Sequence, residues 1–471
     1  MSARARRAAL ALSLVLALDA AGCHRTERAG QTAPQAEGGQ TGGAIVVRGL
    51  SLIDGTGAPP IENGALVIVG ETLRAAGRGA SIPIPEGARV VDLHGKTVIP
   101  GLVSDHSHLG MVDGVGVGAG HATRENMLRQ LRQFEVYGVT SITSLGFNGA
   151  LFYALQGPLH RGELPGADLF GADRGLGVIH AAPPVDPGPD RLYRVATPDE
   201  ARAAVRETAS RHPDLVKIWV DDFKGTLEPR MSPEVYRAII DEAHRSYLRV
   251  AAHVFYLEDA KRLVDDGVDV LAHGVRDQPV DDQLVAAMRA HATWYIPTIG
   301  LDESSYVYAE APPWTRTPFF RHALQPALAA QLADPQWRGK MLGDEKKVAL
   351  DKDAVAMNLR NLKALHDAGV AIGFGTDSGA TPLCIPGFAE HRELALMVQA
   401  GIAPLEALHI ATSEAARLLG LADRGELRPG KLADFVVVDG DPSRSIDDLS
   451  RVVEVWHRGR RVSGSVEEFT P

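Results

Sequence analysis

Cysteine is nearly absent from this chain: Cys23 and Cys384 are the only two among 471 residues. Two cysteines cannot build the disulfide framework that stands in for a hydrophobic core in small secreted domains. No run of lysine or arginine occurs past the first few residues, and the formal net charge is −10. The electrostatic footprint of a nucleic-acid binder is therefore missing. The apolar run at 8–18 is too short for a membrane-spanning helix, which needs roughly 20 residues. A dinucleotide fingerprint is also lacking. The glycines of GVGVGAG at 114–120 are spaced by two throughout, and no strand directly precedes them. What the chain does have is 45% apolar residues, enough for a large core. The length suits a barrel of roughly 250–350 residues plus a satellite domain.

The first residues read as a leader. Arg4, Arg6 and Arg7 precede the apolar run at 8–18, the two parts of a secretory signal. Ala20-Ala21-Gly22-Cys23 resembles a bacterial lipoprotein signal, with small residues directly before a cysteine. Residues 24–43 are polar and glycine-rich, as a flexible tether is. The expectation is export, with residues 1–23 as the signal. The mature protein is then either attached to the membrane of the bacterial envelope through lipid on Cys23 or free in the periplasm.

From residue 44 the texture becomes strand-like: AIVVRGLSLIDGTG, ALVIVG and ARVVDLHG are short β-rich runs broken by turn residues. The same texture returns in GELRPGKLADFVVVDGD and VVEVWHRGRRV near the other end. This predicts one small β-sandwich domain assembled from residues 44–97 and 426–471. Between them, strand and helix patterns alternate. Eight strands are expected at 98–103, 139–145, 167–172, 215–220, 249–254, 268–272, 294–299 and 370–375. Helical patterns at 124–137, 198–211, 233–247, 257–266 and 280–290 separate most of them. Eight such alternations predict an α/β fold, a (β/α)8 barrel of the TIM type over residues 98–425. The rhythm breaks at 301–347, a segment rich in aromatics that includes Trp314 and Phe319. It follows the seventh strand on the catalytic face, so it is read as a lid whose Trp314 and Phe319 touch substrate. The alternative is an extra helical pair or a subunit interface in a homo-oligomer.

The chemistry-bearing residues fall at expected strand ends. His106 and His108 form a His-X-His after the first strand, and alternation along a strand aims both rings at one point. Lys217 lies inside the apolar LVKIWV, where burying a charged ammonium is costly and a neutral or modified amine fits better. His253 ends VAAHV, His273 ends VDVLAHG, and Asp377 sits in GTDSG. Singly each has a bland reading: a surface pair, an edge lysine, a core histidine, a turn aspartate. Converging at one end of a barrel, they suit metal-assisted hydrolysis with a carboxylate for proton transfer.

Together these motifs resemble the amidohydrolase superfamily, over residues 44 to 463, and within it the imidazolonepropionase-like or prolidase-like branch. PGLVSDHSH resembles its first metal motif, with Ser104 where an aspartate is usual. ATSEAARLLGLADRGELRPGKLADFVVVDGDP resembles its C-terminal signature. The resemblance implies two divalent metal ions, zinc being the expectation. His106, His108 and Asp377 would hold the first, and His253 and His273 the second. Lys217, carboxylated by carbon dioxide, would bridge them. It further implies amide (C–N) hydrolysis of a small peptide-like or N-acyl amino acid substrate by metal-activated hydroxide. Asp377 would be the catalytic base and His273 the group next in line. Dipeptidases of this branch often carry tyrosine two residues after the strand-five histidine. Here Phe255 holds that position, so Tyr256 is the expected substrate contact. Two rival readings remain. One is a single-metal deaminase, cyclic-amide hydrolase or lactonase on the same scaffold, the other a non-catalytic binding lipoprotein.

Overall fold

Alternating apolar residues bring the two ends of the chain into one sheet. In this computed structural model, which describes residues 43–471 apart from Pro189 and Ser463, strands Ile45–Leu52, Ile61–Val69 and Thr72–Arg78 form an antiparallel meander. Thr97–Pro100 pairs with Ile45–Leu52 on one side and with the C-terminal strand Phe435–Val438 on the other. Val452–His457 then continues the sheet. The expected leader, Cys23 and nearly all of the tether lie outside the described residues. Among the described residues, no helix is long and apolar enough to cross a membrane.

Both ends are observed in one hydrogen-bonded eight-stranded sheet. Strand Ile45–Leu52 changes partner along its length. Residues Ile45 to Arg48 pair with Arg89–Asp92, whereas Ser51 and Leu52 pair with Thr97–Pro100. The sheet forks there. One face buries Val47, Leu50, Leu66, Phe435 and Trp456, and the last two rings stack 5.2 Å apart. The sheet also keeps the chain as far as Pro100, so the change to parallel strands falls at Gly101, a few residues later than expected.

The main parallel strands are β1 (Leu102–Ser107), β2 (Val139–Ser144), β3 (Asp168–Gly171), β4 (Leu215–Trp219), β5 (Arg249–His253), β6 (Val270–Ala272) and β7 (Trp294–Ile296), with Leu176–Val178 and Tyr193–Val195 pairing in parallel beside β4. Strands β1 to β3 pair in parallel in sequence order, as do β4 to β7. Single parallel bridges join the two groups: Ala172 to Leu215, Tyr295 to Ile372, and Ser378 to Ser107. The pairings therefore return to β1 through residues 371–378. That segment is irregular and pairs with its neighbours through isolated bridges rather than a ladder, so the eighth expected strand is an extended segment. Helices follow most of the strands. Pro198–Ala209 shows why one begins: Thr197 accepts from the Glu200 amide while Glu200 caps back.

Alternation along the strands sorts their side chains. Val216, Ile218, Val250 and Ala252 face the helices. Leu215, Ala251, Val270 and Ile296 fill the centre. Lys217, Trp219 and His253 continue that inward row to the strands' C-terminal ends.

The 301–347 segment is helical, with short helices at Val307–Glu310, Pro318–Arg321, Pro326–Ala333 and Pro335–Gly343. Its aromatics pack inward. Trp314 lies 5.5 Å from Phe388, and Phe319 lies 4.8 Å from Tyr137.

Candidate metal centre

His106 lies in β1 and His108 directly follows its end at Ser107, and alternation keeps the two at the same parity. Asp377 comes to meet them from the 371–378 segment. Its Oδ1 lies 3.0 Å from His106 Nε2 and 3.0 Å from His108 Nε2. The backbone enforces this approach: the amides of Thr376 and Asp377 both donate to the His106 carbonyl. Gly375 permits it, since a Cβ there would stand 2.6 Å from His106 Cβ. Asp377 itself has φ of 61°, a left-handed conformation that non-glycine residues adopt rarely and often at functional sites.

His273 directly follows β6, whose Val270 and Ala272 already point inward, so plain alternation would turn it away. Its φ of 134° breaks the alternation and swings the ring into the site. Its Nδ1 is engaged by Thr298 Oγ1 at 2.8 Å, which leaves Nε2 to face the centre. The ring lies 4.6 Å from that of His106 and 4.3 Å from that of His253. Lys217 rises from β4 with its Nζ 5.4 Å from the Trp219 ring.

Electrostatics mark the cluster as built for a cation. Burial, with Lys217 and His108 adding to it, pushes His106 down to about 3. His273 is likewise held well below the usual imidazole range by burial and then by His253 and His106. Burial pushes Lys217 down to about 7. Burial alone would raise Asp377, but His106 and His108 hold it well below the usual carboxylate range. His106 and His273 are thus held neutral, Asp377 is charged, and the lysine is poised to lose its proton. Several buried atoms there make no hydrogen bond: both nitrogens of His106, Nδ1 of His108, Nζ of Lys217 and Oδ1 of Asp377. Unsatisfied buried polar atoms are costly and rare. Neutral imidazoles and a carboxylate converging on one point are a metal-ligand set. His106, His273 and Asp377 each offer a ligand atom within 4.8 Å of the others.

Above the cluster opens a cavity of about 340 Å³. One wall is apolar, with Met111, Phe147, Pro183 and Trp219; Phe147 and Trp219 stack at 4.8 Å. The opposite wall carries Lys224, Arg276, Asp302 and Asp351. Lys224 bonds both aspartates, and Arg276 bonds Asp302.

The three expected substrate contacts lie elsewhere. Tyr256 donates to Asp222 and sits under the Arg230 guanidinium. Trp314 and Phe319 are absorbed into the aromatic core of the helical insert, because rings that large are more stable packed on Phe388 and Tyr137 than over an open mouth. The insert's ends do reach the cavity, through Leu301, Asp302, Ser305 and Lys347. Asp221, Phe147 and Trp219 went unnoticed in the sequence. The Asp-Asp pair directly after the apolar β4 was the available signal for the first of them.

A profile of the Amidohydrolase family matches residues 97–462. The chain is similar to an uncharacterized protein of Mycobacterium bovis, 30% identical over 277 residues, which is 57% of this chain and 64% of that protein. The chain therefore spans just under two thirds of that relative. It is also similar to the imidazolonepropionase of Deinococcus deserti, 41% identical over 104 residues, or 21% of this chain and 26% of that one. Among solved structures, a Xaa-Pro dipeptidase with bound methionine superposes with a TM-score of 0.69 at 25% identity, covering 89% of this chain and 100% of that chain. The chain belongs to the amidohydrolase family.

Proposed function

We propose that the protein is a hydrolase of C–N bonds with two divalent metals, acting on a small peptide-like or N-acyl amino acid substrate at the mouth of a (β/α)8 barrel. The observation that carries this reading is the buried, unpartnered set of ligand atoms on His106, His108, Lys217 and Asp377. His106, His108 and Asp377 would hold one ion, and His253 and His273 the other. Lys217 stands between, electrostatically coupled to Asp377. With its amine pushed to about 7 by burial, Lys217 is partly neutral near neutral pH. A neutral amine adds to carbon dioxide: an N–C bond forms, one proton leaves, and the resulting carbamate would supply an anionic oxygen ligand at the centre of the cluster.

Bound divalent metal would lower the pKa of water toward ~7 and polarise the scissile carbonyl. The chain's own part is proton handling and exclusion of bulk water. Asp377, charged and docked on His106, accepts the proton of the attacking water and returns it to the leaving nitrogen as the C–N bond breaks. Thr298 fixes the His273 ring by engaging Nδ1. The Phe147–Trp219 wall takes the apolar part of the substrate and keeps water out.

A second reading is a single-metal deaminase or cyclic-amide hydrolase. The tight trio of His106, His273 and Asp377 favours it, since three ligands suffice for one ion. Against it stand the buried Lys217 and Tyr256, which occupies the place where such enzymes carry a glutamate. The test is a hydrolysis panel of dipeptides, N-acyl amino acids, cyclic amides, lactones and amino-heterocycles with metal-loaded protein. Release of an amine or amino acid from the first two classes supports the proposal. Ammonia from the heterocycles alone favours the second reading.

A further inference from the structure

The geometry points to Asp221 and Phe223 as a clamp that fixes the ring of His253 for metal binding, with Asp221 a positioning residue and not itself a ligand. This rests on the metal centre proposed above.

Five residues after β4 form an arch over His253. Asp221 is fully buried, and its Oδ1 lies 3.4 Å from His253 Nε2. The Phe223 ring stacks on the His253 ring at 4.3 Å and 12°. The Phe223 amide donates to the same Asp221 Oδ1 at 2.9 Å, which ties edge and face of the clamp together. The other oxygen, Oδ2, is buried without a hydrogen bond. The arch carries strain. Phe223, Lys224 and Gly225 are left-handed in succession, with φ of 51°, 63° and 75°, although two of them have a Cβ. Such runs persist only where the surroundings over-determine them. Here Asp222 Oδ1 accepts from the Gly225 amide, and the Lys224 ammonium is anchored on Asp302 and Asp351. The strain serves to hold a phenyl ring flat on a histidine and a carboxylate at its edge.

The chemistry follows from the two nitrogens of one ring. A proton on Nε2 facing a carboxylate leaves Nδ1 as the lone-pair nitrogen, and a nearby carboxylate raises its basicity. His273 is fixed by a different device, the hydroxyl of Thr298 on Nδ1, which exposes Nε2. Two neighbouring rings, 4.3 Å apart, are thus locked with opposite nitrogens committed. The result is a pair of ligands aimed at one point from different directions, selective for an ion that takes both.

The experiment is cobalt(II) titration of metal-free full-length protein, followed by visible absorption and chelator competition, with no substrate present. Asp221→Asn and Phe223→Leu are compared with wild type, and circular dichroism controls for the fold. The expected result is a second-ion affinity lowered roughly 10–100-fold in Asp221→Asn and less in Phe223→Leu, the range typical for lost outer partners. First-ion affinity and the absorption spectrum of the loaded centre should stay as in wild type. Unchanged second-ion affinity in both folded variants would overturn the clamp. So would an Asp221→Asn spectrum of altered coordination, because the carboxylate would then be a ligand, and so would a wild type that binds a single ion. Because no turnover is read, the substrate class can fail while the clamp stands, and the reverse.

Discussion

Asp377 approaches His106 at two points. Its Oδ1 lies 3.0 Å from His106 Nε2, and its backbone amide donates to the His106 carbonyl at 2.9 Å. The second link holds the loop in place whatever the side chain does. Asp377→Asn should therefore fold normally and lose at least the ~10²–10⁴-fold attributed to general acid–base catalysis. Steady-state kinetics beside elemental analysis checks this. Near-normal turnover with full metal content would move the base to another group, His273 first.

Lys217→Ala should bind one ion where wild type binds two, with loss of most activity. The mutation removes a lysine amine within the ligand cluster, one that burial has pushed to about 7. Small carboxylates should partly restore turnover by filling the bridging position, as wild-type protein would not require. Full activity without them would refute the bridge.

The Phe147–Trp219 stack should select among substrates. Phe147→Leu keeps the apolar volume nearly intact and removes one aromatic face worth about 0.5–1.5 kcal/mol. The expected outcome is up to about a tenfold fall in kcat/KM for aromatic side chains relative to alanine. An equal fall for all substrates would make Phe147 a structural residue only.

A buried charge network joins the terminal sheet to the parallel strands and should make stability fall in alkali. His457 donates to Glu135 at 2.9 Å and lies 3.8 Å from Asp168, which Arg424 also holds. Burial opposes its charge, but Asp434, Asp168 and Glu135 raise it to about 10. A folded-state pKa above the unfolded value of ~6.5 adds stability that is full below that pH and lost as pH rises through about 10. His457→Gln should cost about 3 kcal/mol at pH 6. The gap to wild type should close toward pH 10, as read from urea midpoints. A gap independent of pH would mean that the loss is one of packing.

Much of this was legible in the sequence because strand ends and ligand spacing obey simple periods. His106 and His108 share a parity, and Lys217 breaks an apolar run where a neutral buried amine fits better than a charged one. Other features rest on backbone geometry that no side-chain pattern encodes. His273 enters the site through a φ of 134°, not through alternation. The arch at Asp221 depends on left-handed residues that are not glycine. Trp314 and Phe319 were misread because apolarity marks burial but not the surface buried against. Phe388 and Tyr137, distant in sequence, supply that surface.

The central claim is metal-dependent hydrolysis of a C–N bond. Its most direct test is zinc titration of metal-free protein with simultaneous measurement of bound ion and of amine released from a dipeptide or N-acyl amino acid. The account predicts no release without metal, turnover that rises as the second ion binds, and none at any loading in Asp377→Asn. Full turnover in metal-free protein, or a loaded wild type that releases no amine from any such substrate, would contradict it.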